Sequence, residues 1–263
     1  MVYKARESLA QSAGARLRVE YAELTLKGGR ETNQDRISVA VAEDAALMIA
    51  CDGMGGHAEG ERAAEIAQRT VVERFWHTPQ PLLDPLGFLH LSLGAAHVGV
   101  VSLGLPLPME LRPRATCALC LVQQGSAYWA HVGDSRVYHV RGGRVRERTR
   151  DHSHVELLVR EGLINPGQVQ NHPLRNFVES CLGGEPMLPE MAMSPRRQLV
   201  PGDLLLVCTD GFWANLEESV IGSAFAAADK PLRDTIAALS AQALLNAGAL
   251  SDNTSVAALR FLD

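Results

Sequence analysis

Five aspartates stand at the ends of apolar runs in this chain. The run Ala45 to Ala50 leads through Cys51 into Asp52-Gly53-Met54-Gly55-Gly56-His57. Ala127 to Val132 leads to Gly133-Asp134, and Leu204 to Thr209 leads to Asp210-Gly211. Asp35 and Asp252 come just before the runs Ile37 to Val41 and Thr254 to Leu262. A single strand-end aspartate is ordinarily a cap or turn former. Several at one mouth of a sandwich would repel one another, and their pKa values would rise. Divalent ions remove that cost, and an all-oxygen ligand set favours Mg2+ or Mn2+ over zinc. Asp52 is expected to leave a buried strand and enter a glycine-rich turn, whose free backbone oxygens suit a hard cation. No Lys-Ser or Lys-Thr pair follows these glycines, so the turn is not a Walker-type phosphate loop.

The elements that must position these residues follow from periodicity. Leu17 to Leu26, Ile37 to Val41 and Ala45 to Ala50 alternate or run apolar as strands do. Glu59 to Trp76 has helical spacing, and Leu82 to about Val101 predicts a second helix. Period two then returns over Ala115 to Val122, Ala127 to Val132, Arg136 to Val140 and Arg144 to Arg148, with tight glycine-containing connections. Asp151 to Glu161 predicts a short helix, Leu204 to Thr209 a buried strand, and Leu216 to Ala227 and Leu232 to Ala247 helices. This order predicts an α+β fold: a four-layer αββα sandwich, two facing antiparallel sheets flanked by helix pairs. Residues 1–15 read as an N-terminal arm and 16–263 as a single domain. The proline-rich, irregular segment 162–202 is expected near the mouth of the site.

The whole chain bounds the function. It has 263 residues, 46% of them hydrophobic and 21% charged, with a formal net charge of -5. That balance argues against nucleic-acid binding, and no recognition-helix pattern is present. The five cysteines are an odd number, mostly inside apolar runs, as expected of free thiols in a reducing compartment. Cys117 and Cys120 have CxxC spacing, but on a strand they would face opposite ways. His131 and His139 read as structural or exposed, and Trp76, Trp129 and Trp213 as packing residues. No run of eighteen apolar residues predicts a membrane span, and no secretory signal is visible. A cytoplasmic monomer is the expectation.

Taken together, Gly29-Arg30-Glu31-Thr32-Asn33-Gln34-Asp35, Asp52-Gly53-Met54-Gly55-Gly56-His57, Gly133-Asp134-Ser135-Arg136, Thr209-Asp210-Gly211 and Asp252-Asn253-Thr254 give the chain a specific resemblance. It resembles a bacterial member of the PP2C-like (PPM) family of metal-dependent serine/threonine phosphatases. Thr149-Arg150-Asp151-His152-Ser153 and His172-Pro173 also resemble family landmarks. The resemblance implies the αββα sandwich and two Mn2+ or Mg2+ ions. It implies hydrolysis of phosphoserine and phosphothreonine monoesters by attack of a metal-bridging water or hydroxide. It makes Asp52 the carboxylate shared by both ions and gives one of them the Gly53 carbonyl. Asp210 and Asp252 match ligands of the other ion, Asp35 the residue that orients the attacking water, Arg30 the phosphate-holding arginine, and His57 the general acid. Asp134 with Asp210 could form a weak third site. The implied partner is a phosphorylated protein, the substrate of a cognate Ser/Thr kinase.

Two departures qualify the match. Gln34 stands where many relatives carry glutamate, and Ala214 where some carry a third-metal aspartate. Two other readings stay open on the residues alone: a non-catalytic phosphoprotein-binding module that kept the fold, and a metal hydrolase acting on a small phosphorylated metabolite.

Overall fold

The computed structural model describes residues 17–54, 58–227 and 230–263. The expected N-terminal arm, 1–15, and His57 lie outside the described residues. The strands are β1 (Val19–Leu26), β2 (Asp35–Val41), β3 (Ala45–Met54), β4 (Arg114–Ala115), β5 (Cys117–Gln123), β6 (Ser126–Val132) and β7 (Arg136–Arg141). They continue as β8 (Arg144–Arg148), β9 (Leu182–Gly183), β10 (Ala192–Met193), β11 (Arg197–Gln198), β12 (Leu204–Cys208) and β13 (Thr254–Phe261). The helices are α1 (Ala58–His77), α2 (Pro85–Gly104), α3 (His154–Arg160), α4 (Asp210–Trp213), α5 (Glu218–Ala224) and α6 (Leu232–Ala247).

The strands form two antiparallel sheets. One runs β1-β13-β12-β7-β8; the other runs β10-β6-β5-β3-β4-β9, with β2 also on β3 and β11 on β6. Period-two alternation sorts their side chains into three apolar layers. Ala46, Met48 and Ala50 of β3 meet Leu205, Val207, Ala257 and Leu259 of the other sheet in the central layer. Leu47, Ile49 and Cys51 face the opposite way, onto Ala63, Ala67 and Val71 of α1 and Leu89, Leu93 and Ala96 of α2. Leu204, Leu206 and Cys208 pack against Ile221 of α5 and Ile236 and Leu239 of α6. The αββα layering follows directly, because each sheet buries one face on the other sheet and one on helices. Cys117 lies in the layer under α1 and Cys120 in the central layer, so the CxxC pair does face opposite ways.

One expectation needs correction. Asp52 and Gly53 do not sit in a turn beyond the strand; β3 runs through them to Met54. The reason is pairing on both edges, with Asp52 opposite Asp35 of β2 and Gly53 opposite Ala115 of β4. Among the described residues one helix, Pro85–Gly104, is long and apolar enough to cross a membrane by length and composition, with a mean hydropathy of 1.6. Here its Leu89, Leu93, Ala96 and Val100 belong to the core beneath it.

Candidate functional site

The central layer does not stay apolar to its end. Ala46, Met48 and Ala50 alternate inward along β3, and the next inward position is Asp52. On β2 the corresponding position is Asp35, directly across from Asp52. On β12 the inward stripe of Leu205 and Val207 runs on to Thr209. The same register that packs the core therefore delivers two carboxylates side by side at its mouth. Like charges directly opposite each other on antiparallel strands are destabilising.

Close backbone approaches bring in the remaining acids. A Cβ on Gly211 would stand 2.0 Å from the Asn253 carbonyl, so only glycine lets the Asp210 turn rest on the Asp252 turn. A Cβ on Gly53 would stand 2.0 Å from the Gly60 carbonyl in the first turn of α1. Both clashes are with backbone, which cannot swing aside. Gly53→Ala is expected to cost at least about 1–3 kcal/mol of stability and to weaken Mn2+ binding. A thermal melt and a calorimetric titration check this; parental values in both would contradict the packing described.

Side chains far apart in sequence fix the turns. The Asn253 amide donates to the Lys27 carbonyl at 2.8 Å and the Thr32 carbonyl at 2.9 Å, and its Oδ1 accepts from the Gln34 N–H at 2.8 Å. This stitches the turn carrying Arg30 to the turn carrying Asp252. Arg30 Nη2 accordingly donates to Asp252 Oδ2 at 2.6 Å, and that contact holds the guanidinium more firmly protonated than usual. The Thr209 hydroxyl donates to Asp35 Oδ2 at 2.8 Å. The Thr116 N–H donates to the Asp52 carbonyl at 2.9 Å, while Thr116 Oγ1 accepts from the Asp52 N–H at 3.2 Å and meets Ser135 Oγ at 2.7 Å. Asn253, Thr209 and Thr116 are the positioning residues that local periodicity does not reveal.

The electrostatics are those of acids gathered with too few cations. Burial pushes the Asp35 carboxyl up to about 7, against hydrogen bonds from Ser255 and Thr209 and with Asp210 and Asp252 adding to the rise. Burial, then Asp252, pushes Asp210 up to about 6. Burial drives Asp52 well above the carboxylate range, joined by repulsion from Asp35, Asp210, Asp134 and Asp252. Asp134 is raised likewise, by burial and then Asp210. Asp35 Oδ1 and Asp210 Oδ1 are buried without a hydrogen-bond partner.

Unpartnered buried carboxylate oxygens are costly, and their donor chemistry fits a hard cation. Among the described residues no three His, Cys, Asp or Glu side chains already close around one point. A small, strongly hydrated ion does not require that; it keeps several waters and takes only one or two carboxylates. The residues therefore fit divalent-ion binding, with Asp52, Asp210, Asp252 and the Gly53 carbonyl as candidate donors. Ala214 offers no side-chain oxygen to it.

Beside this mouth lies a cavity of about 1190 Å³, walled by Arg114, His131, His152, Phe177, Glu190 and Met193 among others. Arg114 pairs with Met54 at the end of β3, and the His152 N–H donates to the Gly133 carbonyl next to Asp134 at 2.9 Å. Through these neighbours the cavity lies next to the strand end of Asp52 and the turn of Asp134, with none of the five aspartates in its lining, and residues between Phe177 and Pro195 of the irregular segment form one wall. His131 is buried in it and stacks on His152 with ring centroids 4.7 Å apart.

Two antiparallel sheets lie between flanking helices, with a buried carboxylate cluster at one end of the central layer. No protein-family model matches the chain. Among relatives, Serine/threonine protein phosphatase PstP of Mycobacterium tuberculosis is 33% identical over 186 residues, covering 69% of this chain and 34% of that protein. Protein phosphatase PhpP of Streptococcus pneumoniae is 30% identical over 243 residues, covering 87% of this chain and 91% of that one. The chain thus spans only about a third of the first of these and nearly all of the second. Among solved structures, the catalytic domain of PstP in complex with 2 manganese ions has a TM-score of 0.77 at 26% identity, covering 93% of this chain and 99% of that one. The chain belongs to the PP2C-like (PPM) family of metal-dependent serine/threonine protein phosphatases.

Proposed function

We propose that this chain hydrolyses phosphoserine and phosphothreonine monoesters in proteins with the help of two Mn2+ or Mg2+ ions. The observation that carries the reading is the Asp35–Asp52 pair at the end of the central layer, together with the turns of Asp210 and Asp252, which Gly211 lets press against each other. When bound, the ions supply a nucleophile at neutral pH and offset the charge of the phosphate. Asp52, the Gly53 carbonyl, Asp210 and Asp252 would hold these ions, with Asp52 the carboxylate common to both, Gly53 a backbone donor to one and Asp210 and Asp252 donors to the other. Asp134 faces Asp210 and can contribute to a weak third site. Asp35, fixed through Oδ2 by Thr209, has Oδ1 free to accept from the attacking water and to take its proton. His57 serves as the general acid for the serine or threonine alkoxide, which leaves poorly without a proton.

Arg30 reaches the mouth from an exposed turn and holds two phosphoryl oxygens through its planar fork. Its present partner, Asp252, keeps it at the site. Arg30→Ala is expected to lower kcat/KM about 10- to 100-fold, the roughly 1.5–3 kcal/mol of hydrogen bonds to a charged group. Mn2+ affinity should change far less. Steady-state kinetics on a phosphothreonine peptide check this; parental kcat/KM would make Arg30 a plain turn residue.

The cavity beside the mouth favours a protein substrate over a small metabolite, since it has room for residues flanking the phosphorylated one. The substrate is accordingly a phosphoprotein produced by a cognate Ser/Thr kinase. The phosphatase unit is one domain, 16–263, acting as a monomer, and its five free cysteines suit the cytoplasm. Comparing kcat/KM on phosphothreonine peptides with that on small phosphorylated metabolites tests the substrate class. A large preference for a metabolite would keep the site and replace the substrate.

A further inference from the structure

We propose that Trp213 is a positioning residue that sets the spacing between Asp134 and Asp210, and with it the affinity for a divalent cation held by that pair. The inference rests on the metal-dependent reading above. Trp213 ends the single helical turn that Asp210 begins. Its indole Nε1–H donates to the Asp134 carbonyl at 3.0 Å. One side chain thus ties the turn after β12 to the turn between β6 and β7, and each of those turns carries one acid.

The indole is itself immobilised. The Arg136 guanidinium lies over its ring, with Cζ 3.2 Å from the centroid. That guanidinium is held in a fork by Asp151, Nε to Oδ1 at 2.8 Å and Nη2 to Oδ2 at 2.7 Å, and Nη1 donates to the Tyr138 hydroxyl at 2.9 Å. Tyr138 is buried on β7, opposite Leu206 of β12. On the far side of the turn the His152 N–H donates to the Gly133 carbonyl at 2.9 Å, and the Gly133 N–H donates back to His152 Nδ1 at 3.3 Å.

Such bracing has a purpose. Asp134 and Asp210 repel each other across the gap, and Asp210 Oδ1 has no hydrogen-bond partner to restrain it. Left to themselves, two mobile turns would part, and a cation would have to draw them together at the expense of its own binding. Since Ala214 adds no ligand, the spacing of this pair carries the site. Partners that orient ligands in this way are typically worth about 10- to 100-fold in metal affinity.

The test is Trp213→Phe, which keeps an aromatic ring for Arg136 and removes the N–H donor together with part of the indole. Calorimetric titration of the parent with Mn2+ comes first, with Asp134→Asn as the reference for loss of the pair. The weakest class of Mn2+ sites is expected to lose about 10- to 100-fold in affinity in Trp213→Phe, approaching Asp134→Asn, with little change in the stronger sites. A folded Trp213→Phe whose isotherm matches the parent overturns the proposal and leaves the phosphatase reading intact. A parent that binds no Mn2+ overturns both.

Should Trp213→Phe fail to fold, the parent chain itself decides. Its three tryptophans give three indole N–H resonances, assigned with Trp76→Phe and Trp129→Phe. The Trp213 resonance is expected to shift in step with added Mg2+. An unmoved resonance at saturating Mg2+ overturns the proposal.

Discussion

Asp52→Asn is expected to lower kcat on a phosphothreonine peptide about a thousandfold, the upper range for removing one stabilising group from a preorganised site. The size of the effect follows from position. Asp52 continues the inward stripe of β3, sits opposite Asp35, and is the acid whose charge faces most of the others. An amide there keeps the shape and takes away the charge that two cations would share. It also relieves the repulsion with Asp35, so the variant should fold at least as well as the parent. Loss of activity with a raised melting temperature in chelator is thus the expected signature. Parental kcat at saturating Mn2+ would remove Asp52 from the centre of the account.

The second large effect concerns stability and pH. The ordinary value for these carboxyls is 3.8, and in the folded chain Asp35 rises to about 7 and Asp210 to about 6. Between those values the unfolded chain has released protons that the folded chain retains. Stability of the metal-free protein must then fall as pH rises from about 4 through about 7. Divalent ions replace the protons, so their stabilising effect should grow over the same interval. With each ion at about 100 times its Kd, two sites contribute about 5 kcal/mol. For a chain of this size that corresponds to a rise in Tm of about 10–20 °C at pH 7.5, and clearly less at pH 5.5. Differential scanning calorimetry with chelator and with Mn2+ at both pH values checks this. An equal ion effect at the two pH values would mean the carboxylates do not gather as described.

Much of this site was legible in the sequence because strand-end acids announce themselves locally. Asp52, Asp210 and Asp252 each adjoin an apolar run, and period two alone indicates which side of a strand continues the core. The layer order was legible for the same reason. The pieces that join the turns were not. Asn253 reaches back to Thr32 and Gln34 across more than two hundred residues, and Thr209 reaches Asp35 across 174. Such bonds leave no periodic trace. Trp213 reads as a packing residue until its N–H is seen to meet the Asp134 carbonyl. Trp129 is buried as expected, whereas Trp76 is 54% exposed on the last turn of α1. The end of β3 was misplaced because a glycine-rich stretch reads as a turn, while pairing with β2 and β4 carries it on as strand. The apolar face of α2 gave a cue in the opposite direction, since a core helix and a membrane helix share composition.

The central claim is that these acids exist to hold divalent ions for phosphate-ester hydrolysis. The most direct measurement is release of phosphate from a phosphothreonine peptide by the full chain, first after exhaustive chelation and then after adding back Mn2+ or Mg2+. The account predicts no turnover above background in the chelated protein and full recovery with either ion. Undiminished turnover in protein shown by elemental analysis to be metal-free would contradict it.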